Sequence, residues 1–284
     1  MIAILVSQSP LFVVSQSPLF LLTVTLYSAA FIAYAATWRS HQPIVGRLAT
    51  LALGLAIAAN SGLIVARWIE AERAPFKSLH ESLVFLALCV ALVYLVMERL
   101  YRTRVFGALA SLGSTGALLY ALVHWDAEVV RLPPALQSGW FIPHVVVYFV
   151  GYGALFFATA VAAVHLVRPT LRLRAGTIFG SEVDLERVTY DAIAFGFVLL
   201  TIGLLVGSVW AKEAWGDYWV WDPKENWSLV SWLVYGSYLH LRRLKGWRGR
   251  RLSWLAIGGF AVVLFTYLGI ELLPTAAESA HAYQ

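Results

Sequence analysis

Apolar residues in this chain come in runs of about twenty, separated by short polar breaks, and within the runs they do not alternate with polar residues. A bilayer hydrocarbon core needs roughly 20 apolar residues per spanning helix. The pattern therefore predicts about eight transmembrane helices, at residues 18–38, 44–66, 79–97, 105–123, 141–167, 190–210, 224–241 and 252–271. Continuous rather than alternating runs argue against a transmembrane β-barrel. The predicted fold class is an all-α integral membrane protein, read as one polytopic domain over residues 1–284. A tandem "VSQSPLF" at 6–12 and 14–20 lacks a basic n-region and a small-residue cleavage pattern, so it reads as an extension of the first helix or a lead-in to it.

Composition agrees with the pattern: 60% of residues are hydrophobic, 13% are charged, and mean hydropathy is +0.72. A net charge of +5 suggests nucleic acid only until the basic residues are located. Fifteen of the 21 lysines and arginines fall in loops on one side of the predicted spans, including "RRLKGWRGRR" at 242–251, and six fall on the other. The positive-inside rule then places the basic loops in the cytoplasm and both termini outside. Membrane lipids are expected partners and nucleic acid is not. The single cysteine, Cys89, lies within an apolar run, so thiol chemistry would have to use a partner's thiols.

One segment departs from the lipid-like pattern. "WGDYWVWDPKENW", residues 215–227, holds four tryptophans in thirteen positions, and six of the twelve in the chain lie between Trp210 and Trp232. Interfacial belts account for tryptophan near membranes, yet belts spread their residues over all loops. Within the segment, "DPKE" places Asp222 at a helix N-cap, Pro223 at the first helical position and Glu225 three residues after the cap, which is a capping box. The preceding rings offer broad, flat aromatic surface at a membrane face, suited to a flat apolar ligand with a polar edge. A porphyrin fits that description, with Lys212 or Lys224 placed to meet propionates and axial ligands supplied from elsewhere.

Of seven histidines, His41, His80, His124 and His165 sit in loops or at helix ends, where solvated or packing roles are the default. His144 follows Pro143 at the start of the fifth helix, on the predicted side of the Trp-rich loop, and shares a helical face with Tyr148 and Tyr152. Its residues alone leave open a packing stripe or a ligand. His240 lies about 27 Å along the seventh helix from the cap at Asp222, either as an interfacial residue beside Arg242 and Arg243 or as a functional group at membrane depth.

The stretch "WAKEAWGDYWVWDPKENWSLVSWLVY" at 210–235 resembles the WWD signature of heme-handling proteins of cytochrome c maturation, specifically the CcsA/ResC family of the system II pathway. "FIPHVVVYFVGYG" at 141–153, "YLHLRR" at 238–243 and "HAY" at 281–283 extend the likeness, and "PFKSLHESLVF" at 75–85 resembles the segment before the third span, with His80 in place of tyrosine. Glu271 and "ESAHAY" depart from the family ending. The resemblance implies a heme-handling and export subunit of a membrane cytochrome c synthase, and the lack of an acidic tail or transit peptide favours a bacterial plasma membrane over a plastid one. The resemblance implies that heme b is held outside, in the loop 211–226, by His144 and His281 as axial ligands of the iron, with Trp215, Trp219, Trp221, Asp222 and Trp227 around it. His240 would be the transmembrane ligand of a second heme position. The implied partners are a CcsB/ResB-type membrane protein, without which heme lyase activity is expected to be missing, and the CxxCH segment of apocytochrome c. Other readings stay open from the sequence: a heme exporter without ligation activity, a b-type electron-transfer subunit, or a transporter or enzyme of apolar substrates.

Overall fold

A computed structural model describes residues 18–40, 42–124, 132–167 and 183–270. Every regular element among them is helical. The α-helices are α1 (Pro18–Thr37), α2 (Pro43–Ala71), α3 (Leu79–Tyr101), α4 (Gly107–Val123), α5 (Phe141–Val167), α6 (Leu185–Trp215), α7 (Pro223–Leu244) and α8 (Arg250–Leu264). A 3₁₀ turn, Pro134–Gln137, precedes α5, and a π-helical turn, Phe265–Gly269, continues α8. Among the described residues, six helices are long and apolar enough to cross a bilayer: α1, α2, α3, α5, α6, and α8 with its π turn. The chain is thus an all-α, multi-pass membrane protein. Two of the eight expected spans fall short of that measure for different reasons. α4 has only 17 residues, and α7 carries Lys224, Glu225, Asn226, His240, Arg242 and Arg243 along its 22.

Several helices run past the expected ends. α6 extends to Trp215, 31 residues or about 46 Å, because Lys212 and Glu213 leave the bilayer without breaking a helix. It stops where Gly216 takes φ +91° and donates its N–H to the Lys212 carbonyl. α2 likewise continues through Arg67 and Glu70 to Ala71.

The helices cluster into two compact units. In the first, α1 packs on α2 and α4, and α3 packs on the same two. Its polar interior is organised by two glutamates of α3. Glu98 accepts hydrogen bonds from the hydroxyls of Tyr34 (2.6 Å), Thr50 (2.6 Å) and Tyr94 (2.9 Å), and from Arg104 Nε (3.2 Å). Glu81 completes a capping box with Ser78 and pairs with Arg67 and Arg73 at 3.2 and 3.0 Å. A buried carboxylate is tolerated when its lone pairs are met in this way.

Among the described residues, the second unit is a ring of four helices. α6 lies against α5 along its length, α7 contacts α6 and α8, and α8 closes on α5. One end is tied by Glu186, which accepts from Arg242 (3.3 Å) and from the Gly249 N–H (3.0 Å), and by Arg250, which donates to the Leu166 carbonyl (3.2 Å). The other end opens into a cavity.

Candidate functional site

Two short devices build the rim of this cavity. The first is the start of α7. Asp222 accepts from the Lys224 N–H at 2.8 Å, and Glu225 Oε2 accepts from the Asp222 N–H at 3.1 Å and from the Val220 N–H at 2.9 Å, so the expected capping box also grips the loop before it. Both carboxylates are buried. With α6 ending at Trp215 and α7 beginning at Pro223, the connection proper is residues 216–222, shorter than the expected loop 211–226. Trp221 takes φ +60° there, a left-handed conformation that costs a non-glycine residue about 1–2 kcal/mol, and Asn226 Nδ2 holds its carbonyl at 2.7 Å. Lys212 Nζ donates to the Gly216 carbonyl and lies over the Tyr218 ring.

The second device is Trp210, almost wholly buried, whose Nε1 donates to the Ala135 carbonyl at 2.8 Å and so ties α6 to the 3₁₀ turn. Its ring lies 5.3 Å from that of His144 and 4.9 Å from that of Trp215.

The cavity itself holds about 190 Å³ and is continuous with an open mouth. α5 contributes His144, Tyr148 and Tyr152, the loop contributes Trp219, and α7 contributes Lys224 and Ser228. The π turn contributes Thr266 and Tyr267. Such turns widen a helix locally and recur at functional sites. Here Thr266 donates to the Val262 carbonyl (2.9 Å) and lies 3.1 Å from Ser231 Oγ, while Tyr267 stacks edge-on against Phe149.

His144 is held closely. Its Nδ1 lies 3.1 Å from the Gly203 carbonyl, and the Tyr148 ring meets it edge-on at 4.9 Å. Trp219 Nε1 is buried without a hydrogen-bond partner. An unmade hydrogen bond at a buried donor is costly, so a donor left in that state at a cavity wall suits a ligand with an acceptor on its edge. One histidine, a wall of aromatic rings, a lysine and a spare N–H donor together fit a flat, apolar, carboxylate-bearing metal macrocycle.

The sequence-predicted residues divide. His144, Trp219 and Lys224 line one cavity. Trp215 packs on Trp210, Trp227 packs on Phe265 with ring centroids 4.4 Å apart, and Trp221 is exposed beside Trp219 at 6.0 Å. Asp222 is turned into the helix start as a cap. His240 is exposed on α7 and is not part of the cavity wall. His281 lies outside the described residues, as does His41. His80, by contrast, is a buried core residue, its Nδ1 2.9 Å from the Ala121 carbonyl. Sequence reasoning missed Gly203 and Gly207 behind His144, whose G-x-x-x-G spacing inside an apolar span was the available signal. It also missed Tyr267, for which the local sequence offers none.

Residues 77–277 match the family model described as Cytochrome C assembly protein. Among curated relatives, the Cytochrome c biogenesis protein CcsA of Gloeobacter violaceus is 32% identical over 318 residues, covering 90% of this chain and 93% of the relative. The protein of the same name from Synechococcus sp. (strain CC9311) is 36% identical over 272 residues, covering 84% and 89%. A solved structure titled Cytochrome c Heme Lyase CcmF superposes with a TM-score of 0.64 at 18% identity, covering 88% of this chain. This chain spans 46% of that one, and the likeness is one of fold. On the family match and the identity carried along nearly the whole of these relatives, the chain belongs to the cytochrome c assembly protein family.

Proposed function

We propose that this protein is the heme-handling subunit of a membrane cytochrome c synthase, holding heme b in the second unit's cavity and presenting it to apocytochrome c. The observation that carries the reading is His144, braced by Trp210 and Tyr148, in a cavity walled by aromatic rings and bearing the unpartnered indole N–H of Trp219. His144 is one axial ligand on this reading, and His281 is the other. Aromatic side chains take the macrocycle's faces, while Trp219 Nε1 and Lys224 Nζ meet its carboxylates. The basic-loop asymmetry supports an external position for this end of the unit, on our reading in a bacterial plasma membrane.

Bound heme supplies two vinyl groups, across each of which a cysteine S–H of a CxxCH segment adds to give a thioether without net oxidation. The protein's part is to hold the ring, exclude water with its aromatic wall and fix the edge at which the thiols arrive. His240, exposed on α7, serves a second, deeper heme position, with the other ligand from a CcsB/ResB-type partner.

The test is the dithionite-reduced absorption spectrum of the protein co-purified with that partner, followed by addition of a CxxCH peptide. Sharp low-spin bands lost in His144→Ala, and peptide-linked heme in the wild type, are expected. A heme-free wild-type complex refutes the reading; bound heme that never becomes covalent reduces it to export.

A further inference from the structure

α5 and α6 pack antiparallel with rings and branched side chains of one lying over glycines of the other. A β-carbon added at Gly207 would lie 2.5 Å from Cε1 and 2.7 Å from Nδ1 of His144; one at Gly203 would lie 2.7 Å from the Tyr148 ring; one at Gly196 would lie 2.8 Å from Leu155. The pairs 144 with 207, 148 with 203 and 155 with 196 step in opposite directions by the same intervals, so they belong to one groove.

That groove does more than bring two helices together. In an α-helix the side chain of residue i+4 lies on the same face as residue i, and its Cβ tilts back toward it. A side chain at 207 would therefore cover the carbonyl of 203. Glycine at 207 leaves that carbonyl open, and its second lone pair receives His144 Nδ1 at 3.1 Å while the first serves the helix ladder. A carbonyl only accepts, so Nδ1 carries the proton, and in a neutral imidazole Nε2 then carries the lone pair.

We infer that Gly207 and the Gly203 carbonyl are positioning elements that hold His144 in the Nδ1–H tautomer, making Nε2 the atom this side chain offers to a metal. The inference rests on the heme reading above for its purpose, though not for its geometry. Hydrogen bonding at the far nitrogen fixes the tautomer and ring plane of metal-bound histidines and raises their basicity.

The experiment uses full-length protein in nanodiscs with ¹⁵N-labelled histidine. His144 is assigned by the signal lost in His144→Gln, and the heme-loaded spectrum and midpoint potential are recorded alongside. In the wild type without heme, His144 should show the Nδ1–H signature. In Gly207→Ala that signature should be lost and low-spin heme should fall at least tenfold at matched helix content, with free imidazole restoring the low-spin bands. Gly258→Ala, whose added β-carbon meets nothing within 4 Å, should match the wild type in every readout. The inference is overturned by an Nε2–H tautomer in the wild type, whatever the variant's folding yield, or by Gly207→Ala with unchanged spectrum and potential. A wild type that shows the expected tautomer, sensitive to Gly207→Ala, but never binds heme refutes the functional reading and leaves the histidine seat standing.

Discussion

Glu225 offers the sharpest test of how the Trp-rich connection is held. Its Oε2 accepts two backbone N–H groups of the loop, from Val220 at 2.9 Å and Asp222 at 3.1 Å. Hydrogen bonds to a charged group are worth about 1.5–3 kcal/mol. Asp222 is 5% exposed, so its N–H loses that full amount in Glu225→Ala. Val220 is 42% exposed and its N–H can turn to water, which reduces its share to about 0.5–1 kcal/mol. The sum is about 2–4 kcal/mol of local stability. At about 1.4 kcal/mol per decade, opening of residues 216–222 becomes on the order of 100-fold more frequent. Hydrogen exchange by mass spectrometry in nanodiscs reads this directly on the peptide containing Val220 and Asp222. Glu225→Gln, which keeps a neutral acceptor of the same shape, should lose about half as much in free energy. Exchange in Glu225→Ala within threefold of wild type would refute the claim that this carboxylate anchors the loop.

Three further outcomes are expected. Trp221→Gly should relieve the positive φ and gain about 1 kcal/mol in thermal unfolding; unchanged stability would mean the left-handed backbone is not strained. In the first unit, Glu98→Ala takes the acceptor from the Tyr34 and Tyr94 hydroxyls, while Thr50 keeps the Gly46 carbonyl and Arg104 keeps Thr50, and should cost about 2–3 kcal/mol, against about 1 kcal/mol for Tyr34→Phe, in denaturant titrations of the detergent-solubilised protein. Gly107→Ala, whose added carbon would sit 2.3 Å from the Tyr34 ring, should lower the melting temperature by the equivalent of about 1–3 kcal/mol, whereas Gly116→Ala, facing open space, should gain up to about 1 kcal/mol.

The helix that hydropathy located to the residue, Phe141–Val167, is the one whose apolar run and helix coincide. α6 was undershot because hydropathy ends where lipid ends, at Lys212, while the helix continues until Gly216 turns left-handed. The start of α7 was legible because a capping box is a local pattern; its second use, gripping Val220, depends on how the loop folds back and has no local signature. His144 was legible as a histidine in a tyrosine stripe on the expected face. Its seat was not, since Gly207 lies 63 positions away and only helix pairing brings the two together.

The close fit of rings into the glycine groove also bears on movement. Because His144, Tyr148 and Leu155 of α5 each have a glycine of α6 opposite, α5 cannot glide along α6 by a fraction of a turn; the next comparable fit lies a full helical turn, about 5.4 Å, away. The pair behaves as a mechanical detent, stiff along its axis. On the proposed reading, heme enters and leaves past His144 as a stationary post.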